Sequence, residues 1–136
     1  MKGQRFQEWE YPTIQEGKPT KYHWIVQHKE GLQLGYKTDI GAFSYINAKF
    51  GVIVEDFVQI GSHCSLYSIS TIDNHSGKVH LKENCKIGSH STVMPNVTVG
   101  RNSIIGAHSL VLEDIPDNVV AFGVPAKVRR RLNESA

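Results

Sequence analysis

From Leu34 to Val111 an aliphatic side chain returns every six residues. The first run is Leu34, Ile40 and Ile46; the second is Val54, Ile60, Leu66 and Ile72; the third is Leu81, Ile87, Val93, Val99, Ile105 and Val111. Glycine follows the aliphatic residue at Gly35, Gly41, Gly61, Gly88, Gly100 and Gly106. Four places after it stands a small or β-branched residue, as at Ser44, Cys64, Ser91 and Ser109. A period of six fits neither a helix nor simple strand alternation. It is the period of a β-solenoid, with each hexad making one short flat side of a coil. The aliphatic residue points inward and the glycine lets the chain turn a corner without strain. The pattern predicts an all-β fold with coils of about 18 residues if three hexads close a triangle, a shape and hand that the period alone leaves open.

The rhythm is broken twice, by two extra residues between Ile46 and Val54 and by three between Ile72 and Leu81. A solenoid expels such insertions from its stack as loops, often on the functional face. The second carries Asp73, Asn74 and His75 and is the chemically richest stretch. Residues 1–33 fall outside the repeat and are expected to cap the open first coil, with a strand around Tyr22–Val26. Asp114-Ile115-Pro116-Asp117-Asn118 ends the rhythm in turn residues, and Val119 to Phe122 reads as a last strand. Beyond the Gly123-Val124-Pro125 turn, Ala126 to Leu132 is expected to form a short helix with Pro125 at its first position. The chain of 136 residues therefore divides into a cap (1–33), a solenoid (34–124) and a basic tail (125–136) of one domain.

Charge changes this picture only locally. A net charge of +2 gives no reason to expect nucleic acid. Lys127, Arg129, Arg130 and Arg131 crowd one stretch, as a local anion site would require. No apolar run approaches the roughly 18 residues of a membrane span, and no signal peptide is visible. Cys64 and Cys85 both occupy the small-residue place of the repeat, so they read as buried thiols of a cytoplasmic protein rather than a disulfide.

The string Ile87-Gly88-Ser89-His90, Met94-Pro95-Asn96-Val97-Thr98-Val99-Gly100, Ile105-Gly106-Ala107-His108, Asp114-Ile115-Pro116 and Gly123-Val124-Pro125-Ala126-Lys127-Val128 resembles the C-terminal signature of hexapeptide-repeat acyltransferases. The nearest group is the sugar and xenobiotic O- and N-acetyltransferases, and the resemblance runs from about 34 to 131. It implies a left-handed parallel β-helix and a homotrimer with sites between neighbouring solenoids. It also implies acetyl-CoA as donor, with direct transfer to a hydroxyl or amine of a sugar or nucleotide-linked amino sugar. No metal is expected.

By that resemblance His75 is the general base, a task suited to neutral imidazole at cytoplasmic pH. Asp73 is placed to hold its tautomer. Ser89 and Ala107, one 18-residue coil apart, would line the pantetheine arm; Lys127 and Arg130 would meet the CoA phosphates; Asn47 would meet the acceptor. The loop holding His75 is shorter than in galactoside-type enzymes, and no Trp stands at Cys85 or Lys86, so the acceptor pocket must differ in shape. Two other readings use the same solenoid. One is a γ-class carbonic anhydrase, with His75 and His80 as zinc ligands and a third imidazole still required. The other is a non-catalytic trimeric scaffold, which would need neither the His75 insertion nor the basic tail.

Overall fold

The computed structural model describes residues 6–132. It is an all-β, left-handed parallel β-helix of about five turns. Three parallel sheets make the sides of a prism. The first face holds strands Ile25–Gln27, Tyr45–Asn47, Ser65–Tyr67, Thr92–Val93 and Leu110–Val111. The second holds Leu32–Leu34, Val52–Val54, Val79–Leu81 and Thr98–Val99. The third holds Asp39–Ile40, Gln59–Ile60, Lys86–Ile87, Ile104–Ile105 and Val119–Gly123, with Ala126–Arg131 added at its end.

The aliphatic positions form three inward columns. Val26, Ile46, Leu66, Val93 and Val111 stack under the first face. Leu34, Val54, Leu81, Val99 and Ile115 stack under the second. Ile40, Ile60, Ile87, Ile105 and Ala121 stack under the third. Each column repeats at the spacing of neighbouring strands, so every coil buries apolar surface against the next. At the corners the small residues do a second job. Ser44 Oγ donates to the carbonyl of Gly61 at 3.0 Å, Ser91 Oγ to that of Gly106 at 3.1 Å, and Cys64 Sγ to that of Gly88 at 3.2 Å. Each of these bonds ties a corner of one coil to the next, and Ser109 Oγ adds a second donor to the Gly106 carbonyl at 2.7 Å.

Four expectations change. The stack begins at Ile25, paired with Tyr45, so residues 25–33 belong to the first coil rather than to a cap outside it. Trp24 (2 % exposed) and Val26 are buried, so this segment contributes to the core.

The second change concerns Ile72, which is not inward: it is 97 % exposed. The coil from Leu66 to Val93 is 27 residues long (66 to 93), against 18 from Val93 to Val111. The extra length is expelled as a small antiparallel hairpin, Ile69–Ser70 against His75–Ser76. Val79–Leu81 takes the place beneath Val52–Val54 because it buries two side chains completely, Val79 and Leu81. A strand ending at Ile72 in the same register would bury Ser70 beside it, a polar side chain in place of an aliphatic one. All the extra residues, including the turn at Lys29–Gly31, emerge at the edge between the first and second faces.

The third change concerns the glycines. The residues with positive φ are not the repeat glycines but side-chain-bearing residues two places later, such as His63 (58°), His90 (61°) and Asn102 (64°). Gly88 is required by space instead: a Cβ there would lie 2.5 Å from the backbone N of Ala107 in the next coil.

Finally, the C-terminal segment is not a helix. The Val124–Pro125 peptide is cis and Ala126–Arg131 folds back as an antiparallel strand on Val119–Gly123. Pairing satisfies the free edge of the last coil, which a helix would leave open. The tail beyond Leu132 and the first five residues of the proposed cap lie outside the described residues.

Candidate active site

The expelled hairpin carries His75 exposed on its second strand, opposite Ser70. Asn74 turns the hairpin in the left-handed region (φ 53°), which Asn tolerates better than most residues. Among the described residues no hydrogen bond joins the Asp73 carboxylate to the His75 ring, and both side chains are exposed. The neck of the hairpin is rigid. Gly77 N–H donates to Ser68 O at 2.9 Å, and Ser68, fully buried, ties the neck to the strand below. Its N–H and its Oγ both donate to the Asn47 carbonyl, at 3.0 and 2.7 Å, while its Oγ accepts Phe50 N–H at 3.0 Å.

Asn47 thus stands at the foot of the His75 hairpin, on the first face. Its Nδ2 donates to Tyr45 Oη at 3.2 Å, and Tyr45 Oη donates to the Gln27 side chain. The Tyr45 and Tyr67 rings lie 5.7 Å apart. Gln27, Tyr45 and Tyr67 therefore form, with Asn47, one polar and aromatic patch. Only Asn47 was legible in the sequence. The others appear once the parallel register sets Gln27, Asn47 and Tyr67 in a row.

Ser89 and Ala107 stack on the edge between the third and first faces, where His108 N–H donates to Ser89 O at 2.9 Å. Beside them runs a column of rings that the sequence reading left without a role. His63 and His90 are parallel at 4.6 Å, and His90 and His108 at 4.8 Å. Their common place two residues after Gly61, Gly88 and Gly106 was the available signal.

Lys127 and Arg130 lie on the added strand beyond the last coil. They are an odd number of residues apart, so a regular strand would aim them to opposite sides. The register shifts between Val120 and Ala121, so Lys127 pairs with Phe122 and Arg130 with Val120. Phe122 and Val120 alternate with the buried Val119 and Ala121, so both basic residues take the outer side. Arg129 is the residue passed over; its Nε donates to Phe122 O at 3.1 Å and its guanidinium lies 4.8 Å over the Phe122 ring. A bulge re-aims side chains in this way.

The remaining ionisable groups add little to the site. His80 binds the Glu55 carboxylate through Nε2 on the second face. Among the described residues no three His, Cys, Asp or Glu side chains are grouped to hold a metal, so the zinc reading gains no ligand set. Cys64 and Cys85 are free and buried; burial raises both thiols, that of Cys85 to about 12.

Residues 78–113 match the bacterial transferase hexapeptide (six repeats) family. The galactoside O-acetyltransferases of Lactococcus lactis and of Escherichia coli are each 35% identical over 74% of this chain, covering 56% and 57% of their own lengths. The chain therefore spans about half the length of these curated relatives. A solved galactoside acetyltransferase in complex with coenzyme A is 30% identical, with a TM-score of 0.75 over 82% of this chain and 60% of that one. With repeat, coil and sequence in agreement, the chain belongs to the hexapeptide-repeat acyltransferase superfamily.

Proposed function

We propose that the chain transfers an acetyl group from acetyl-CoA to a hydroxyl or amino group of a sugar or nucleotide-linked sugar. The observation that carries this reading is the arrangement of the first face. One long edge is the Ser89–Ala107 stack and the other is the neck of the His75 hairpin, with Asn47 at its foot. One strand of about 10 Å separates the two edges, a distance an extended pantetheine arm and a sugar ring can bridge together.

In this reading the stacked backbone at Ser89 and Ala107 accepts the donor arm as an added strand would be accepted. Lys127 and Arg130 hold its phosphates by charge-assisted hydrogen bonds. Asn47 orients the acceptor beside the Tyr45 and Tyr67 rings. His75 takes the proton of the acceptor hydroxyl as its oxygen attacks the thioester carbonyl. His75 then returns that proton to the sulfur as the carbon–sulfur bond breaks. Asp73, two residues before His75 in the same hairpin, orients the imidazole. No acyl-enzyme is needed, because both substrates meet on one surface.

A lone prism leaves this face open to water. A homotrimer would set a second copy against it and form a trench, which is how flat solenoid sides are commonly buried. The galactoside relatives support a sugar acceptor, and the free buried thiols suit a reducing cytoplasm.

The test is calorimetric titration of acetyl-CoA and of dephospho-CoA into the protein. Saturable binding near one donor per chain, weakened when the 3′-phosphate is missing, is expected. Lys127→Glu with Arg130→Glu should weaken acetyl-CoA binding by about tenfold or more, since each charge-assisted contact contributes on the order of 1.5–3 kcal/mol. No binding at millimolar donor would overturn the reading.

A further inference from the structure

On the first face one backbone N–H fixes the direction of every hydrogen bond in a chain of three side chains, Asn47, Tyr45 and Gln27. Lys49 N–H donates to Asn47 Oδ1 at 3.2 Å. A backbone N–H can only donate, so this end of the Asn47 amide is its oxygen and the other end is its nitrogen. That nitrogen is a donor only, and it donates to Tyr45 Oη at 3.2 Å. Tyr45 Oη therefore accepts there and turns its own proton toward Gln27, which must present Oε1. What Gln27 keeps free is Nε2, a donor of two hydrogens and an acceptor of none.

The backbone beneath this chain is held as firmly. The Asn47 carbonyl takes both Ser68 donors, and Ala48 N–H donates to the Gln27 carbonyl at 3.0 Å. Preorganised groups reduce the ordering cost of binding. Parallel register lays Gln27, Asn47 and Tyr67 in one outward row, with Gln27 exposed and the other two half-buried. Among the described residues the Gln27 nitrogen, the second Asn47 Nδ2 hydrogen and the Tyr67 hydroxyl have no protein partner. The five strands of this face carry no Asp, Glu, Lys or Arg. Glu16 reaches the neighbouring corner, but its oxygens are taken by the N–H groups of His28 and Lys29 at 2.7 and 2.9 Å. The row thus offers uncharged amide donors beside two phenol rings. A sugar hydroxyl set against it uses a lone pair and leaves its own proton to find another acceptor. A carbonyl oxygen carries no proton and leaves nothing unpaired. A carboxylate would accept the same N–H groups, but it gives up the hydration of a full charge with no cation on these strands to replace it.

We infer that Gln27 is a specificity-determining residue of the acceptor site and that it selects a sugar bearing an N-acyl group. The acyl carbonyl oxygen takes the free N–H groups of Gln27 and Asn47, and the acyl methyl lies against the Tyr45 and Tyr67 rings. Tyr45 is a positioning residue, because it acts through the two amides that it holds. This inference rests on the acetyl-transfer reading above and names the acceptor class for it.

The experiment measures acetyl transfer from acetyl-CoA to N-acetylglucosamine, glucuronate and glucose, in the full chain and in its Gln27→Glu variant. Glutamate at this place still accepts the Tyr45 proton, so the chain of bonds stands, but it has no N–H to give. In the parent protein kcat/KM for N-acetylglucosamine should exceed that for either other sugar by at least about fivefold, the worth of one neutral hydrogen bond. Gln27→Glu should erase that preference by raising the KM for N-acetylglucosamine. The donor KM and the melting temperature should stay as they were, since residue 27 is exposed. Tyr45→Phe should weaken the same preference although Gln27 is intact, as a positioning role requires. Equal kcat/KM for N-acetylglucosamine and glucose, a preference for glucuronate, or a preference that survives Gln27→Glu would each overturn the inference and leave the transfer reading standing. Saturable acetyl-CoA binding with no turnover of any of the three sugars would do the same. Absence of acetyl-CoA binding would instead remove the transfer reading itself, and this inference with it.

Discussion

The Ser68 hydroxyl donates to the Asn47 carbonyl at 2.7 Å and accepts the Phe50 N–H at 3.0 Å, fully buried beneath the neck of the His75 hairpin. One side chain therefore sets where the proposed base leaves the coil relative to the proposed acceptor residue. Ser68→Ala takes from the half-buried Phe50 N–H its acceptor, at a cost of about 0.5–1.5 kcal/mol. The melting temperature should fall by several degrees in scanning calorimetry. The acceptor KM should rise while the donor KM stays unchanged. A donor KM that rises equally would mean that the neck does not serve the acceptor alone.

His75→Ala should leave the fold and the donor affinity intact, because the imidazole is exposed and makes no contact with the core. Transfer should fall by at least about 10², the usual contribution of one general base. Turnover near that of the parent protein in a steady-state assay would remove His75 from the mechanism. Asp73→Asn should lower kcat by a smaller factor, with little change in either KM.

Gly88→Ala tests the packing of coils rather than chemistry. The added Cβ would stand 2.5 Å from Ala107 N, a backbone atom held by its own coil. Overpacking of this kind costs about 1–3 kcal/mol, measurable as a shifted urea midpoint. Because Gly88 adjoins Ser89, donor affinity should fall with it. Gly17, with nothing near its missing Cβ but a φ of 66°, should respond through backbone strain instead.

Cys85 gives a pH prediction with a definite sign. Burial raises its thiol to about 12 in the folded chain. An unfolded cysteine ionises near pH 8.5. Between these values the unfolded state has released a proton that the folded state keeps, so stability falls as pH rises. The slope approaches about 1.4 kcal/mol per pH unit. Denaturant melts from pH 8 to 11 should show this decline, and Cys85→Ala should make it shallower. A thiol reagent should leave Cys85 unlabelled in the native protein at pH 8.

Much of the architecture follows from local pattern. An inward aliphatic residue every six places, with a small residue at each corner, can be read without coordinates because every coil meets the same constraint. The columns through Ile46, Leu66 and Val93 and the buried Ser44, Cys64 and Ser91 bear this out. Ile72 shows the limit. It keeps the rhythm, yet Val79–Leu81 displaces it, because competition for a place in the stack is decided by total burial and not by spacing. The repeat glycines show a second limit: their spacing was visible, but the reason for them is the next coil, whose nearest atoms lie 16 to 28 residues along the chain.

By itself, then, the sequence determined the solenoid, the expelled loop bearing His75, the corner residues Ser89 and Ala107, and the charge of Lys127 and Arg130, because each is a matter of period or composition. Only the tertiary structure decided the rest. It turned the C-terminal segment from a helix into a strand, since pairing with the last coil outweighs local propensity. It brought Lys127 and Arg130 to one side through the shifted register. It gathered Gln27, Tyr45 and Tyr67 around Asn47, and stacked His63, His90 and His108 into one column, because parallel register aligns residues that are 18 to 27 places apart in the chain.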